Sequence, residues 1–128
     1  MAKSIGIAIV ETGARYLVGI RGPDGPLPGY AEFPGGKCEP GEDPGDCAVR
    51  ECREETGLAV RVERLLRRER FVYPHGEVDL HFFLCSPIDH QAVLPDHQGY
   101  TWRAREELSQ LTFPEANRPV IEFLCRNR

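Results

Sequence analysis

The sequence has no long apolar run, no excess of basic charge and no paired-cysteine motif. The first absence excludes a membrane-spanning helix, which needs about 18 consecutive apolar residues. The apolar run near the N-terminus, Ile5 to Val10, is ended by Glu11 and Thr12, too soon for the core of a secretory signal. The second absence excludes a protein that coats nucleic acid through a basic surface: 16 Lys+Arg stand against 20 Asp+Glu, a net charge of -4. An acidic chain can still take a phosphorylated substrate when metal ions bridge the two anions. The five cysteines, Cys38, Cys47, Cys52, Cys85 and Cys125, are odd in number, irregularly spaced and without a C-x-x-C. They read as reduced thiols of a cytoplasmic protein, most of them buried as small hydrophobic groups. His75, His81, His90 and His97 lack metal-ligand spacing and read as loop or strand residues. Repeats, low-complexity tracts and interdomain linkers are absent too.

What is present suits one domain, 1–128: 128 residues, of which 41% are hydrophobic, are enough for one ordinary core. Ser4 to Val10 and Tyr16 to Ile20 are β-rich, with a hairpin turn at Gly13 between them. Residues 22–29 hold three prolines and three glycines and form a loop. A short strand, Tyr30–Phe33, leads into a second Gly/Pro-rich bend. Asp43 to Thr56 reads as a helix, with Asp43 as N-cap, Pro44 at the first position and Gly57 as the stop. Strands are expected around Val60 and Val62, at Arg70–Tyr73, at Glu77–Cys85 and at Tyr100–Arg103. The stretch from Ser86 to Gln98 reads as a loop, and a terminal helix is expected from Pro114 to about Arg126. Mixed strands with a central and a terminal helix suggest an α+β fold or an α/β/α sandwich.

The central helix carries the chemistry. At about 100° per residue, Glu51, Glu54 and Glu55 share one arc, while Ala48, Val49 and Cys52 form a separate apolar arc. Clustered carboxylates repel one another unless hard cations such as Mg²⁺ or Mn²⁺ neutralise them. A solvated acidic face is the competing explanation. Against it, Arg50 stands four residues before Glu54, close enough to hold that carboxylate. A glycine-rich bend also leads directly into the helix, where backbone can approach a phosphate or a metal.

Gly36, Glu42, Arg50-Glu51, Glu54-Glu55 and Gly57, in this spacing, resemble the Nudix box. Seven specified residues at about 6% each match by chance with a probability on the order of 10⁻⁹ per window. Cys52 stands where the family usually has Leu, Ile or Val. EFPGGK (Glu32 to Lys37) and FPEAN-x-PVI (Phe113 to Ile121) are similar to the MutT branch, which removes oxidised nucleoside triphosphates such as 8-oxo-dGTP. The resemblance implies a Nudix-type α/β/α sandwich around a mixed β-sheet, with the box as a loop–helix–loop. It implies Mg²⁺, or Mn²⁺, bridging the substrate's phosphates, and water attack on an internal phosphorus that yields a monophosphate and pyrophosphate.

The resemblance also implies roles. Glu54 and Glu55 are metal ligands, and Glu51 is a ligand or the group that orients a base. The Gly35 carbonyl is an extra ligand. Arg50 orients a glutamate, and Glu42 braces the loop or joins the ligands. Gly36 and Gly57 complete the structural box. Asp96 takes the place of an acid that serves metal binding or catalysis. Arg21 and Lys37 are candidate phosphate contacts. Asn117 is the base-reading candidate, because an amide both donates and accepts hydrogen bonds. Phe33, Phe82 and Phe113 line a base pocket or pack in the core. Cys47 lies towards the carboxylate arc, where the family has a small residue for close packing; a soft metal such as Zn²⁺ is the alternative use of its sulfur. The expected partner is a nucleotide, with no stable nucleic-acid or membrane binding, in a monomer or homodimer. Alternative substrates are a dinucleoside polyphosphate, a nucleotide sugar or an RNA 5′ end. A non-catalytic binding domain of the same family is disfavoured because every box carboxylate is present.

Overall fold

The computed structural model describes residues 2–74, 76–89 and 96–126, with only the backbone given for Asp96 and His97. His75 and His90 therefore lie outside the described residues. Alternating apolar residues explain the first strand. Along β1 (Lys3–Thr12), Ile5, Ile7 and Ile9 face one hydrophobic cluster, and Ala8 and Val10 face another. A tight turn at Gly13, where φ is 60°, returns the chain as β2 (Arg15–Ile20). Tyr16 and Val18 join the first cluster and Leu17 the second.

β1 and β2 pair only at Glu11 with Tyr16 and Thr12 with Arg15, and then part. The gap is filled from both sides: β3 (Ala31–Glu32) pairs with β2, and β4 (Gly35–Lys37) pairs with Ile5–Ile7 of β1. Between them the Pro34 carbonyl accepts from the Ala8 N–H at 2.8 Å. The opening in the sheet thus brings the glycine-rich segment into the middle of the molecule.

Beyond β1 lie β6 (Gly76–Pro87), parallel to it, and β5 (Val60–Tyr73), antiparallel to β6. Beyond β2 lie β8 (Tyr100–Ala104) and β7 (Asp96–His97). The order β5-β6-β1-β2-β8-β7 makes a mixed sheet. The helix α1 (Pro44–Thr56) covers one face through Ala48 and Cys52. The helices α2 (Arg105–Leu108) and α3 (Arg118–Arg126) cover the other through Leu108, Val120, Ile121 and Leu124. This is the expected α/β/α sandwich.

The glycine-rich bend expected after Phe33 contains the strand β4, and four further local features differ from expectation. The strands foreseen around Val60 and at Arg70–Tyr73 are one 14-residue strand, β5. Irregularities between Val62 and Arg64 and between Leu65 and Arg67 absorb the residues that break the alternation. β6 runs on to Pro87, and β7 occupies part of the stretch from Ser86 to Gln98 that reads as a loop; proline is tolerated where a ladder ends. The terminal helix opens with a 3₁₀ turn at Glu115–Asn117 and becomes α-helical at Arg118, so Pro119 falls at its second position, where no intrahelical N–H is lost. The short helix α2 carries no sequence signal strong enough to foresee.

Candidate active site

Capping and turn chemistry set the site's frame. Asp43 Oδ2 accepts from the N–H groups of Gly45 at 2.9 Å and Asp46 at 3.2 Å, which starts α1. Gly57, at φ 81°, ends it in a left-handed cap whose N–H donates to the Arg53 carbonyl. In the preceding turn, Glu39 and Glu42 bond reciprocally: Glu39 N–H donates to Glu42 Oε1, and Glu42 N–H to the Glu39 carbonyl, both at 2.9 Å. Gly41 supplies the positive φ of 78° that the turn needs.

Arg50 is the hub. Its Nε donates to Glu42 Oε2 at 2.8 Å and its Nη2 to Glu42 Oε1 at 3.0 Å. Its Nη1 donates to Glu51 Oε2 at 3.0 Å and to both Glu54 oxygens at 3.2 Å, and Nη2 reaches the Lys37 carbonyl at 3.2 Å. The five N–H donors of a planar guanidinium, set in a fixed fork, serve three carboxylates and a carbonyl at once, whereas an ammonium has three donors on a single atom. The Arg50 fork, with the Glu39 N–H, holds the Glu42 carboxyl down to about 2. The same contacts, Glu42 first, raise Arg50 itself.

Glu51 and Glu55 depend on the two glycines. A Cβ on Gly36 would overlap the Glu51 carboxylate, so the glycine leaves the space that the carboxylate fills. Glu55 Oε1 accepts from the Gly35 N–H at 3.1 Å and from the Tyr100 hydroxyl at 3.2 Å. Burial nonetheless pushes the Glu55 carboxyl up, and Glu51 and Glu32 add repulsion. A half-buried carboxyl beside other carboxylates is a place where a cation relieves both burdens. The donors are all oxygen, which suits a hard divalent ion such as Mg²⁺ or Mn²⁺. Glu51, Glu54 and Glu55, with the Gly35 backbone, are the residues present that fit one.

Next to the carboxylates, and sharing Gly35 and Gly36 with them, is a cavity of about 310 Å³. Arg21, Asn117, Phe33 and Tyr73 line it from different elements, over a floor of Ile5, Ile7, Val78 and Leu80. Arg21 Nε is held by Glu32 Oε1 at 3.2 Å, and Asn117 Nδ2 donates to the Pro114 carbonyl at 3.3 Å. Phe33 stacks on Phe113 with centroids 5.0 Å apart. Phe82, by contrast, is fully buried in the core and does not line the cavity. Lys37 is exposed and stands off the cavity. Asp96 lies on β7, paired with Thr101, and its side chain lies outside what is described. Val49 is only partly buried on the apolar arc of α1, whereas Cys47 is fully buried.

Two residues here escaped sequence reasoning. Tyr100 reaches Glu55 across 45 positions, a separation that leaves no local signal. Glu32 sits in EFPGGK, but only the sheet shows that it restrains Arg21 and meets the Tyr100 hydroxyl at 3.4 Å.

The NUDIX domain model matches residues 2–124. The chain belongs to the Nudix family. It is a Nudix hydrolase with named diphosphatase relatives. One is the 8-oxo-dGTP diphosphatase of Escherichia coli, 33% identical over 106 residues that cover 83% of this chain and 82% of the relative. Another is the CTP pyrophosphohydrolase of the same organism, 29% identical over 115 residues, covering 90% and 85% respectively. Among solved structures, a Staphylococcus aureus MutT protein of the Nudix hydrolase family superposes with a TM-score of 0.75 at 28% identity, covering 100% of both chains. The Nudix fold thus accounts for the box helix on one face of the sheet and the cavity beside it.

Proposed function

We propose that this Nudix hydrolase is a divalent-cation-dependent nucleoside triphosphate pyrophosphohydrolase that cleans oxidised purine nucleotides such as 8-oxo-dGTP. The observation that carries this reading is the shared glycine floor. Gly35 and Gly36 contact Glu55 and Glu51 on one side and line the Arg21–Asn117 cavity on the other. A nucleotide with its base in the cavity places its phosphates along that floor.

In this reading Glu51, Glu54 and Glu55, the Gly35 carbonyl and Asp96 hold Mg²⁺, with Mn²⁺ as the substitute. The bound ion supplies charge neutralisation at the phosphoryl oxygens and a more acidic water. The chain's own residues do the rest. Arg50 keeps Glu51 and Glu54 in place, Glu51 orients the base, and a carboxylate of the site accepts the proton released as water attacks an internal phosphorus. Arg21 and Lys37 meet phosphate charge. The Asn117 amide has spent one N–H on Pro114, leaving the other N–H and its oxygen to read a purine edge. The products are a nucleoside monophosphate and pyrophosphate. Five free thiols suit work in the cytoplasm, and no helix among the described residues is long and apolar enough to cross a membrane.

A second reading, hydrolysis of an ordinary pyrimidine triphosphate, draws support from the CTP pyrophosphohydrolase relative. One panel separates them: 8-oxo-dGTP, the ordinary dNTPs, CTP, a dinucleoside polyphosphate and a nucleotide sugar, with Mg²⁺ and product analysis. Preferential conversion of 8-oxo-dGTP to monophosphate and pyrophosphate is expected. Cleavage of CTP or a dinucleoside polyphosphate with 8-oxo-dGTP untouched overturns the reading.

A further inference from the structure

We propose that Cys38, Glu42 and Cys47 form a second cation site, selective for a thiophilic divalent ion of the Zn²⁺ or Cd²⁺ class, distinct from the glutamate site for Mg²⁺. One sulfur from each cysteine and a carboxylate oxygen of Glu42 all lie within 4.8 Å of one another. Ligands around a tetrahedral Zn²⁺, with Zn–S near 2.3 Å, stand about 3.8 Å apart, so an inward shift of at most about 1 Å closes the site. Two sulfurs and one carboxylate are a donor set that Mg²⁺ avoids and Zn²⁺ accepts.

The backbone holds these donors in place. The Cys38 N–H donates to the Ser4 carbonyl of β1, and the Cys47 N–H to the Asp43 carbonyl in the first turn of α1, each at 2.9 Å. One cysteine is thereby tied to the sheet and the other to the helix. Gly6 makes room for the second: a Cβ there would come to 3.0 Å from the Cys47 sulfur. Cys47 is fully buried and directs its thiol at the Gly36 carbonyl 3.3 Å away, whereas Cys38 is half-buried. An ion therefore enters from the Cys38 side, where a water completes four-coordination, and each thiol releases its proton to solvent as it binds.

Occupancy reaches the active site through Glu42. Its two oxygens are the acceptors for Nε and Nη2 of Arg50, and drawing one onto a metal loosens the guanidinium that also holds Glu51 and Glu54. A thiophilic ion at this site therefore inhibits the hydrolase without displacing Mg²⁺. This consequence rests on the proposed metal-dependent hydrolysis; the binding site itself does not.

The test uses the reduced, metal-free chain with Mg²⁺ in excess, titrated with Cd²⁺ and followed by thiolate-to-metal charge-transfer absorption. One equivalent of Cd²⁺ with that absorption, displaced by Zn²⁺, is expected. Cys38→Ser should abolish the two-thiolate absorption and weaken binding by about tenfold or more, while Cys125→Ser and Glu54→Gln leave both intact. Full two-thiolate absorption in Cys38→Ser, or its loss in Glu54→Gln, overturns the site. Cys38→Ser is chosen because its half-buried position tolerates the change better than Cys47, in the core. In a parallel assay, Zn²⁺ should inhibit nucleotide hydrolysis by the unaltered chain and not by Cys38→Ser, whose basal rate is unchanged; equal inhibition of both overturns the coupling. Should no nucleotide be hydrolysed at all, the proposed function fails while the absorption still decides the site.

Discussion

Gly36 and Glu51 occupy complementary space: a side chain on the glycine would coincide with the carboxylate of the glutamate. The glycine is thus required by a neighbour in space and not by backbone conformation, since its φ is not among the positive ones. Gly36→Ala is expected to displace Glu51 and lower kcat by about 10²-fold, the usual penalty for misplacing a reacting group by about 1 Å. The thermal midpoint should change little. Steady-state kinetics beside a melting curve check this, and wild-type kcat in a well-folded Gly36→Ala would refute it.

Arg50→Lys should behave almost as badly as Arg50→Ala. A lysine keeps the charge but cannot reach Glu42, Glu51 and Glu54 together through one planar fork. A loss of at least about tenfold in kcat for both variants is expected, the lower end of what a misplaced catalytic group costs. Full rescue by the lysine would mean that charge alone suffices.

The Glu42–Arg50 pair predicts a sign for acid sensitivity. Glu42 is held down to about 2 in the folded chain, against an ordinary value of 4.5. Its stabilising contribution is therefore complete above about pH 4.5 and lost as the pH falls towards about 2. Glu42→Gln should melt below wild type at neutral pH, and the gap should close on acidification. A gap that widens as the pH falls would contradict the assignment.

Tyr100 gives a test in the metal-free chain. Its hydroxyl donates to Glu55 and so favours the ionised carboxylate, opposing the upward push of burial. Tyr100→Phe should raise the Glu55 carboxyl further, measured by carboxyl-detected NMR titration, and cost about 1 kcal/mol of stability for the lost hydrogen bond. An unchanged titration would show that the hydroxyl does not tune Glu55.

Phe82 separates core from cavity. It has no exposure and packs among Ile9, Leu80 and Leu124 in the first cluster. Phe82→Ala should cost about 3–5 kcal/mol in denaturant unfolding, while the KM of the folded fraction stays near wild type. A selective rise in KM without destabilisation would place the ring in the substrate site instead.

The sequence by itself determined the parts of this protein that short-range chemistry controls. The α1 helix was legible from Asp43, Pro44 and Gly57 because caps act within one turn of the chain. The carboxylate arc was legible because helical periodicity alone puts Glu51, Glu54 and Glu55 on one side. The box spacing pointed to the family, and the order of strands with one central and one terminal helix suggested an α+β fold or an α/β/α sandwich. Only the tertiary structure decided what lies opposite these elements. The parting of β1 from β2, the bulged continuity of β5, the Tyr100–Glu55 bond, the Arg21–Glu32 pair and the meeting of Cys38 with Cys47 depend on which distant strands pair and in what register. Pairing is set by the packing of the whole sheet between its helices, a global free-energy balance to which no short window of residues gives access.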